Sequence, residues 1–110
     1  MNIKFQTKSL NKFANNDKLG IKKLGDRRFK IFKRRLDQLK TSKNLEEVRN
    51  QPGRFHELTG TRKGQWACDV DHPYRLIFTA QENPIPIDND GKYIWIEILG
   101  VEIIEINDYH

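Results

Sequence analysis

The chain has 110 residues, and this length suits a single domain that spans residues 1–110. Hydrophobic residues account for 36% and charged residues for 32%, which is too apolar for a disordered polymer. No apolar run approaches the roughly 20 residues that span a bilayer, and the first residues do not begin a signal peptide. The single cysteine, Cys68, excludes an internal disulfide, and no Cys/His spacing resembles a zinc site. We therefore expect a small cytoplasmic protein without a metal site or a membrane partner.

The charge is divided unevenly along the chain. The net charge is +5, but residues 1–43 carry 14 Lys and Arg against three acids, whereas residues 44–110 carry 6 against 12. A basic half favours a polyanionic partner, such as nucleic acid, an anionic membrane surface or an acidic protein. An ordinary solvated helix face explains the charge by itself equally well.

The first half of the chain has the pattern of a strand followed by helices. Alternation over residues 3–6 predicts a short edge strand, and the apolar residues that follow predict a short helix. A period of 3.6 residues then predicts a long helix from about Lys18 to Thr41. Gly20 and Gly25 weaken its first turns, because glycine is a poor helix former, so we expect the helix to become firm only after Asp26.

From residue 54 onward the apolar pattern changes to period two, which is typical of strands. The elements predicted here are a meander of antiparallel strands at 54–58, 65–70 and 74–80, a loop at 82–91, and a last strand within 93–106 for which Gly100 is a candidate break. Both faces of residues 101–106 mix Ile with Glu, so periodicity does not fix their orientation. Helices packed on one antiparallel sheet define an α+β fold.

Several polar residues interrupt the apolar strands. His56 and Arg75 lie within predicted strands, Arg62 and Lys63 lie in a tight loop, and Asp108-Tyr109-His110 follows the last strand. Each has an ordinary explanation by itself, such as solvent exposure for His56 or cross-strand pairing with Asp69 or Asp71 for Arg75.

Together, these groups have the chemistry of RNA cleavage by the adjacent 2′-hydroxyl. A base takes the hydroxyl proton, an acid protonates the leaving 5′-oxygen, and a cation stabilises the charge that grows on phosphorus. Histidine suits either proton transfer because its unperturbed pKa is about 6.5. This chemistry requires no metal ion.

Four short motifs, in this order, resemble one known family. They are Phe55-His56-Glu57-Leu58-Thr59-Gly60, Arg62-Lys63-Gly64-Gln65-Trp66, Tyr74-Arg75-Leu76-Ile77-Phe78 and Asp108-Tyr109-His110. The chain resembles the RelE/ParE toxin superfamily over nearly its whole length and, within it, HigB, the host-inhibition toxins. The resemblance implies an α+β fold in which two or three N-terminal helices pack on a mostly antiparallel β-sheet (the RelE-like fold). It also implies a type II toxin that acts without a cofactor as a ribosome-dependent mRNA endonuclease, cutting messages in the ribosomal A site.

The resemblance also implies roles for five catalytic residues. His56 would assist proton transfer, and Arg75 would bind the phosphate and stabilise the transition state. His110 would be the main acid/base group. Tyr109 would stack on or orient the substrate, and Asp108 would hold a neighbouring side chain or the nucleotide.

One residue departs from the family pattern. Family members often carry lysine three residues after the histidine, where this chain has the uncharged Thr59. Arg62 or Lys63 is a candidate to compensate, and reduced activity is the alternative. The segment 82–99 is longer than in compact members and has no assigned role.

The resemblance implies two kinds of partner. The long helix predicted over residues 18–41, which is rich in Lys and Arg, would contact ribosomal RNA through many phosphates. Many phosphate contacts make binding sensitive to salt. The candidate RNA-binding residues are Lys22, Lys23, Arg27, Lys30, Lys33, Arg34, Lys40, Arg62 and Lys63. The protein partner would be a helix-turn-helix antitoxin of the HigA type.

Two other functions remain open. A ParE-like inhibitor of DNA gyrase shares the fold but needs no RNA-cleaving residues, and the complete Asp108-Tyr109-His110 motif argues against it. A degenerate toxin, kept as an antitoxin-binding regulatory module, is the second alternative, and Thr59 is its motivation.

Overall fold

The computed structural model describes residues 1–108, in which helices pack on one side of a five-stranded sheet. The elements are β1 (Asn2–Phe5), α1 (Lys8–Ala14), α2 (Asp17–Leu24), α3 (Asp26–Thr41), β2 (His56–Glu57), β3 (Gln65–Asp71), β4 (Tyr74–Ala80) and β5 (Gly100–Asp108). Short 3-10 helices occupy Leu45–Val48, Gly60–Arg62 and Trp95–Glu97. The α+β fold expected from the sequence is confirmed. Within residues 1–108, no helix is both long and apolar enough to cross a membrane.

The strand order across the sheet is β1-β5-β4-β3-β2. Strands β2 to β5 pair antiparallel, whereas β1 pairs parallel with β5. The predicted meander and the predicted edge position of the first strand are both confirmed. The other edge strand, β2, is shorter than the predicted 54–58, because only His56 and Glu57 join the ladder with β3.

The long helix predicted from Lys18 to Thr41 is wrong, because the chain forms two helices that meet at Gly25. The φ angle of Gly25 is +85°, a left-handed conformation that glycine adopts without steric cost. Its N–H caps α2 by donating to the Ile21 carbonyl at 2.7 Å, and α3 begins at the next residue.

The apolar core lies between α3 and the sheet. Trp66, Cys68 and Val70 alternate along β3 towards the helices, where they meet the buried residues Phe29 and Phe32 of α3. Cys68 therefore lies beside Trp66 and Val70 on the core side of the sheet. The opposite side of the sheet, here called the open face, carries the intervening residues of each strand.

A β-bulge decides which residues of β5 reach the open face. Ile77 pairs with Glu105 but its neighbour Phe78 pairs with Ile103, so Ile104 is the extra residue of β5. Val101 and Ile103 therefore face the core, whereas Glu105 shares the side of Ile77. The bulge explains why the alternation of residues 101–106 gave no single orientation.

Candidate functional site

The strand register aligns the candidate residues in two rows across the open face. The first row is His56, Ala67, Ile77 and Glu105, and the second is Asp69, Arg75 and Asn107. Directly opposed residues of antiparallel strands project to the same side. His56 and Arg75 therefore share the open face, two strand spacings or about 10 Å apart across the sheet.

The imidazole of His56 is half-buried and is fixed by the backbone before it. Its Nδ1 lies 2.6 Å from the carbonyl oxygen of Arg54. A carbonyl only accepts hydrogen bonds, so Nδ1 must carry the proton in this contact. In the neutral imidazole the lone pair is then on Nε2, which can accept a proton.

The carbonyl that binds His56 belongs to a residue with a strained backbone. Arg54 has φ +52°, a left-handed conformation that costs a non-glycine residue roughly 1–2 kcal/mol. Asp69 holds this turn in place: its carboxylate binds the Arg54 guanidinium at 2.8 and 3.3 Å, and its N–H donates to the Gly53 carbonyl at 2.7 Å. Arg35 of α3 donates from Nε to the Asp69 carbonyl at 2.7 Å. The orientation of His56 is therefore tied to β3 and α3.

Arg75 belongs to a chain of hydrogen bonds along the open face, here called the Arg62–Arg75 network. Its Nε donates to Asn107 Oδ1 at 3.0 Å, and Asn107 Nδ2 donates to Glu105 Oε1 at 3.0 Å. The same Glu105 oxygen accepts from Arg62 Nη2 at 2.5 Å, and Arg62 Nη1 donates to Gln65 at 2.9 Å. The network brings two guanidinium groups onto one side of the sheet.

Arg62 reaches this face from the loop between β2 and β3. Its contacts to Gln65 on β3 and Glu105 on β5 require the guanidinium to lie above β4, the strand between them. Ile77 of β4 is fully buried although it faces away from the helices, as expected for a residue covered in this way. Of the two loop cations proposed to compensate for Thr59, Arg62 therefore lies on the open face. Lys63 is exposed and lines a separate pocket.

The register does not bring Asp108 into either row. Asp108 pairs with Tyr74, whose ring lies 3.6 Å beneath the guanidinium of Arg28 from α3. Tyr74 and Arg75 are neighbours on β4 and point to opposite faces of the sheet. Asp108, which opposes Tyr74, therefore points away from the face that carries Arg75. Tyr109 and His110 lie outside the described residues.

The structure divides the candidate RNA-binding residues of α3 into two groups. Arg27, Lys30 and Arg34 recur at helical spacing as an exposed stripe, in which Lys30 pairs with Asp26 at 3.2 Å and Arg27 with Asp71 at 3.5 Å. The other two, Lys33 and Lys40, line a cleft of about 670 Å³ between α3 and β1. Lys22 and Lys23 are exposed on α2.

Lys33 differs from the exposed stripe because its ammonium group binds a backbone carbonyl of another helix. It is half-buried, and its Nζ donates to the carbonyl of Ala14, the last residue of α1, at 2.7 Å. Lys33 therefore joins α3 to α1.

Cys68 has no features of a nucleophile. Its thiol is fully buried, and this burial raises its pKa, an effect that Arg35 opposes and Asp69 reinforces. The thiol therefore stays protonated. Residues 1–108 contain no group of three or more His, Cys, Asp or Glu side chains arranged to hold a metal ion.

Solved structures of toxins share this fold. A chain of the YoeB–YefM complex from Staphylococcus aureus superimposes with a TM-score of 0.57 at 14% sequence identity, covering 100% of this chain and 97% of that chain. The YoeB/ParE toxin from Agrobacterium tumefaciens gives 0.54 at 10% identity, with 100% of each chain covered. A search of curated proteins finds no match. At these identities the similarity establishes the fold alone.

The family follows from the sequence itself. A model described as the RelE-like toxin of the type II toxin–antitoxin system HigB matches residues 3–89. The chain therefore belongs to the HigB-like family of RelE-like type II toxins. The match covers His56, Arg62 and Arg75 but ends before β5, so Glu105 and Asn107 lie beyond it.

Proposed function

We propose that this toxin is a ribosome-dependent mRNA endonuclease that cleaves messages in the A site and so inhibits translation. The observation that carries the proposal is the open face, where a histidine with its Nε2 available shares one surface with two guanidinium groups. These are the groups that phosphodiester cleavage needs, and family membership supports their use on RNA.

The proposed reaction is an attack of the 2′-oxygen on the adjacent phosphorus. The 2′-oxygen–phosphorus bond forms and the bond to the 5′-oxygen breaks, leaving a 2′,3′-cyclic phosphate and a 5′-hydroxyl. A base accepts the 2′-hydroxyl proton and an acid protonates the 5′-oxygen. We assign these transfers to His110 as the main acid/base group, assisted by His56 through Nε2, with Tyr109 orienting the nucleotide. Asp108, on the side of the sheet opposite Arg75, is proposed to hold a neighbouring side chain.

Arg75 is proposed to stabilise the negative charge that develops on the phosphoryl oxygens. Its Nε is engaged by Asn107, which fixes the plane of the guanidinium before substrate arrives. Preorganised donors of this kind are often the largest contribution to catalysis, because they need no rearrangement during the reaction. Arg62 is proposed to supply the second cation, in place of the lysine for which this chain has Thr59.

The proposed partners are the ribosome, its mRNA and an antitoxin in the cytoplasm. The exposed stripe of α3, with Lys22 and Lys23 on α2, supports contact with ribosomal RNA through its phosphates. A cognate antitoxin is supported by the family description and by the YoeB–YefM complexes among the similar structures. We propose a helix-turn-helix antitoxin of the HigA type.

The test is 5′-end mapping of mRNA in a purified translation reaction, with and without ribosomes. Wild-type protein should cut at A-site codons only when ribosomes are present. His110→Ala should reduce cleavage by about 10²–10⁴-fold, the usual contribution of general acid–base catalysis. His72→Ala is the matched control, because His72 is exposed and lies in the β3–β4 turn.

Intact message with folded wild-type protein bound to ribosomes would refute cleavage and favour the regulatory module. Inhibition of gyrase supercoiling that persists in His110→Ala would favour the ParE-like function instead. Cleavage of free mRNA at the same positions would refute the ribosome requirement.

A further inference from the structure

A second polar pocket lies at the other side of the edge strand β2. It has a volume of about 420 Å³ and is lined by Arg49, Glu57, Lys63, Lys92 and Tyr93. Two of these residues come from the segment 82–99, to which the family resemblance gives no role. Lys92 and Tyr93 also lie beyond the residues that the family model matches. We call this the β2-edge pocket.

The β2-edge pocket has an excess of positive charge. Within residues 1–108, the ammonium groups of Lys63 and Lys92 have no ion-pair partner. The carboxylate of Glu57 is already engaged, because its Oε2 accepts from Trp95 Nε1 at 2.8 Å. Arg49 is balanced by Glu46, so these two unpaired ammonium groups face one carboxylate and the pocket keeps a net positive charge that an anion would balance.

The walls of the pocket are fixed by packing. The guanidinium of Arg49 lies 3.7 Å above the Trp95 ring and pairs with Glu46 at 2.8 Å. The ring of Tyr93 packs against the fully buried Trp66, with centroids 5.1 Å apart. These two walls are held by aromatic packing and lose little conformational freedom when a ligand binds.

The pocket and the open face lie on opposite sides of the same edge strand, β2. Glu57 follows His56 on the strand, so the two side chains point to opposite sides of the sheet. Lys63 likewise follows Arg62 in the loop, with Arg62 on the open face and Lys63 in the pocket. A strand of RNA that leaves the open face across β2 would meet this pocket next.

We propose that the β2-edge pocket binds a backbone phosphate of the RNA strand, one that flanks the bond cleaved on the open face. The inference rests on the proposed function and adds a site for the flanking strand. Lys63 and Lys92 contact the phosphate, and Tyr93 offers an aromatic surface for the attached nucleoside. The pocket's place at the same sheet edge as the open face favours RNA over an acidic peptide.

The test measures binding without cleavage. 2′-O-methyl oligoribonucleotides of two to eight residues lack the attacking hydroxyl, and backbone amide spectra of the full chain detect even weak binding. Amides of residues 91–93 should shift only above a threshold length, whereas those near Arg75 should respond to shorter oligonucleotides. Lys63→Ser/Lys92→Ser should remove the affinity gained at that threshold and lower the salt slope by about 0.7 for one lost phosphate contact. Lys8→Ser/Lys12→Ser, which removes the same charge from α1, should change neither.

Three results would overturn the proposal. One is the absence of shifts at residues 91–93 with every oligonucleotide, whether or not the open face responds. Another is a response to inorganic phosphate with no dependence on oligonucleotide length, which would indicate a small-anion site. The third is an equal response to a hexaglutamate peptide, which would indicate an acidic protein partner. If the shifts at residues 91–93 show the length threshold but the protein does not cleave mRNA, the proposed function is refuted and the pocket's specificity for RNA stands.

Discussion

The guanidinium of Arg62 lies 2.5 Å from the carboxylate of Glu105, which is 43 residues away in the sequence. This contact crosses the open face from the β2–β3 loop to β5 and covers the middle of β4. Through Asn107 it also extends to Arg75. The two cations proposed to bind RNA phosphate are therefore oriented by one shared carboxylate.

Asn107→Ala should lower the rate of cleavage about tenfold with ribosome affinity unchanged. The substitution removes the acceptor for Arg75 Nε, and a hydrogen bond to a charged group contributes about 1.5–3 kcal/mol. Single-turnover cleavage and ribosome pelleting measure the two quantities separately. Asn89→Ala, in the exposed 82–91 loop, is the control.

If Glu105 and Asn107 act as one unit, the double variant Glu105→Ala/Asn107→Ala should be no slower than the worse single variant. Fully additive losses would contradict the coupling.

Glu105 and Asn107 were not among the candidate site residues, because their side of the sheet depends on the bulge. A regular β5 would send residues 105 and 107 to the same side as Val101 and Ile103, into the core. Two polar residues at positions where a regular strand would place buried apolar ones are the sequence signal that β5 contains an irregularity. The bulge itself arises from the pairing of β5 with β4, which is a tertiary contact.

Arg54→Gly should be more stable to unfolding than Arg54→Ala by about 1 kcal/mol. Both variants lose the contact with Asp69, but only alanine keeps a Cβ in the left-handed conformation at φ +52°. Urea denaturation of the two variants measures the difference. Equal stability would mean that residue 54 leaves this conformation when the contact is lost.

Gly20→Ala should destabilise the protein by about 1–3 kcal/mol, the usual cost of overpacking a core. In an exposed helix the same change stabilises by about 1 kcal/mol. Here an added Cβ would lie 2.0 Å from Phe29 Cε1 and 2.7 Å from the Phe13 carbonyl oxygen. Thermal unfolding gives the sign directly. Phe29→Leu, combined with Gly20→Ala, should recover part of the loss, and a stabilised single variant would contradict the close contact.

The same glycine shows where sequence reasoning succeeded and where it stopped. Periodicity predicted one helix over residues 18–41, with first turns weakened by Gly20 and Gly25. It did not distinguish the two glycines: Gly25 ends a helix through its φ angle, whereas Gly20 lets α2 approach Phe29. The strands of the meander were predictable because each has one apolar and one mixed face. The Arg54 turn was not, since nothing local in the sequence indicates that Asp69 holds it.

Replacing the exposed stripe of α3 should weaken ribosome association most at moderate salt. Arg27→Ser/Lys30→Ser/Arg34→Ser removes three cations without touching the Lys33 contact to α1. The slope of log affinity against log salt should fall by about 2, because each lost phosphate contact contributes about 0.7–0.9. Lys8→Ser/Lys12→Ser/Lys18→Ser removes the same charge from α1 and α2 and serves as the control. Identical slopes for the two triple variants would show that the stripe is ordinary solvated surface.

Cys68 should make stability depend on pH in the alkaline range. Burial raises the pKa of the folded thiol, whereas the unfolded thiol has a pKa of about 8.5. Below that pH both states are protonated and the group has no effect. Above it only the unfolded state loses its proton, so wild-type stability should fall relative to Cys68→Ala by up to about 1.4 kcal/mol per pH unit. Denaturant titrations at pH 7, 8.5 and 10 test this, and parallel curves for the two proteins would contradict it.

The strand that is made last of the five occupies the inside of the sheet, between β1 and β4. During synthesis β1 therefore has no strand to pair with until residues 100–108 have left the ribosome. Until then Arg62 cannot contact Glu105, and Arg75 cannot contact Asn107. A partly made chain therefore cannot assemble the open face, because the hydrogen-bond partners of Arg62 and Arg75 on β5 are made after every other strand of the sheet.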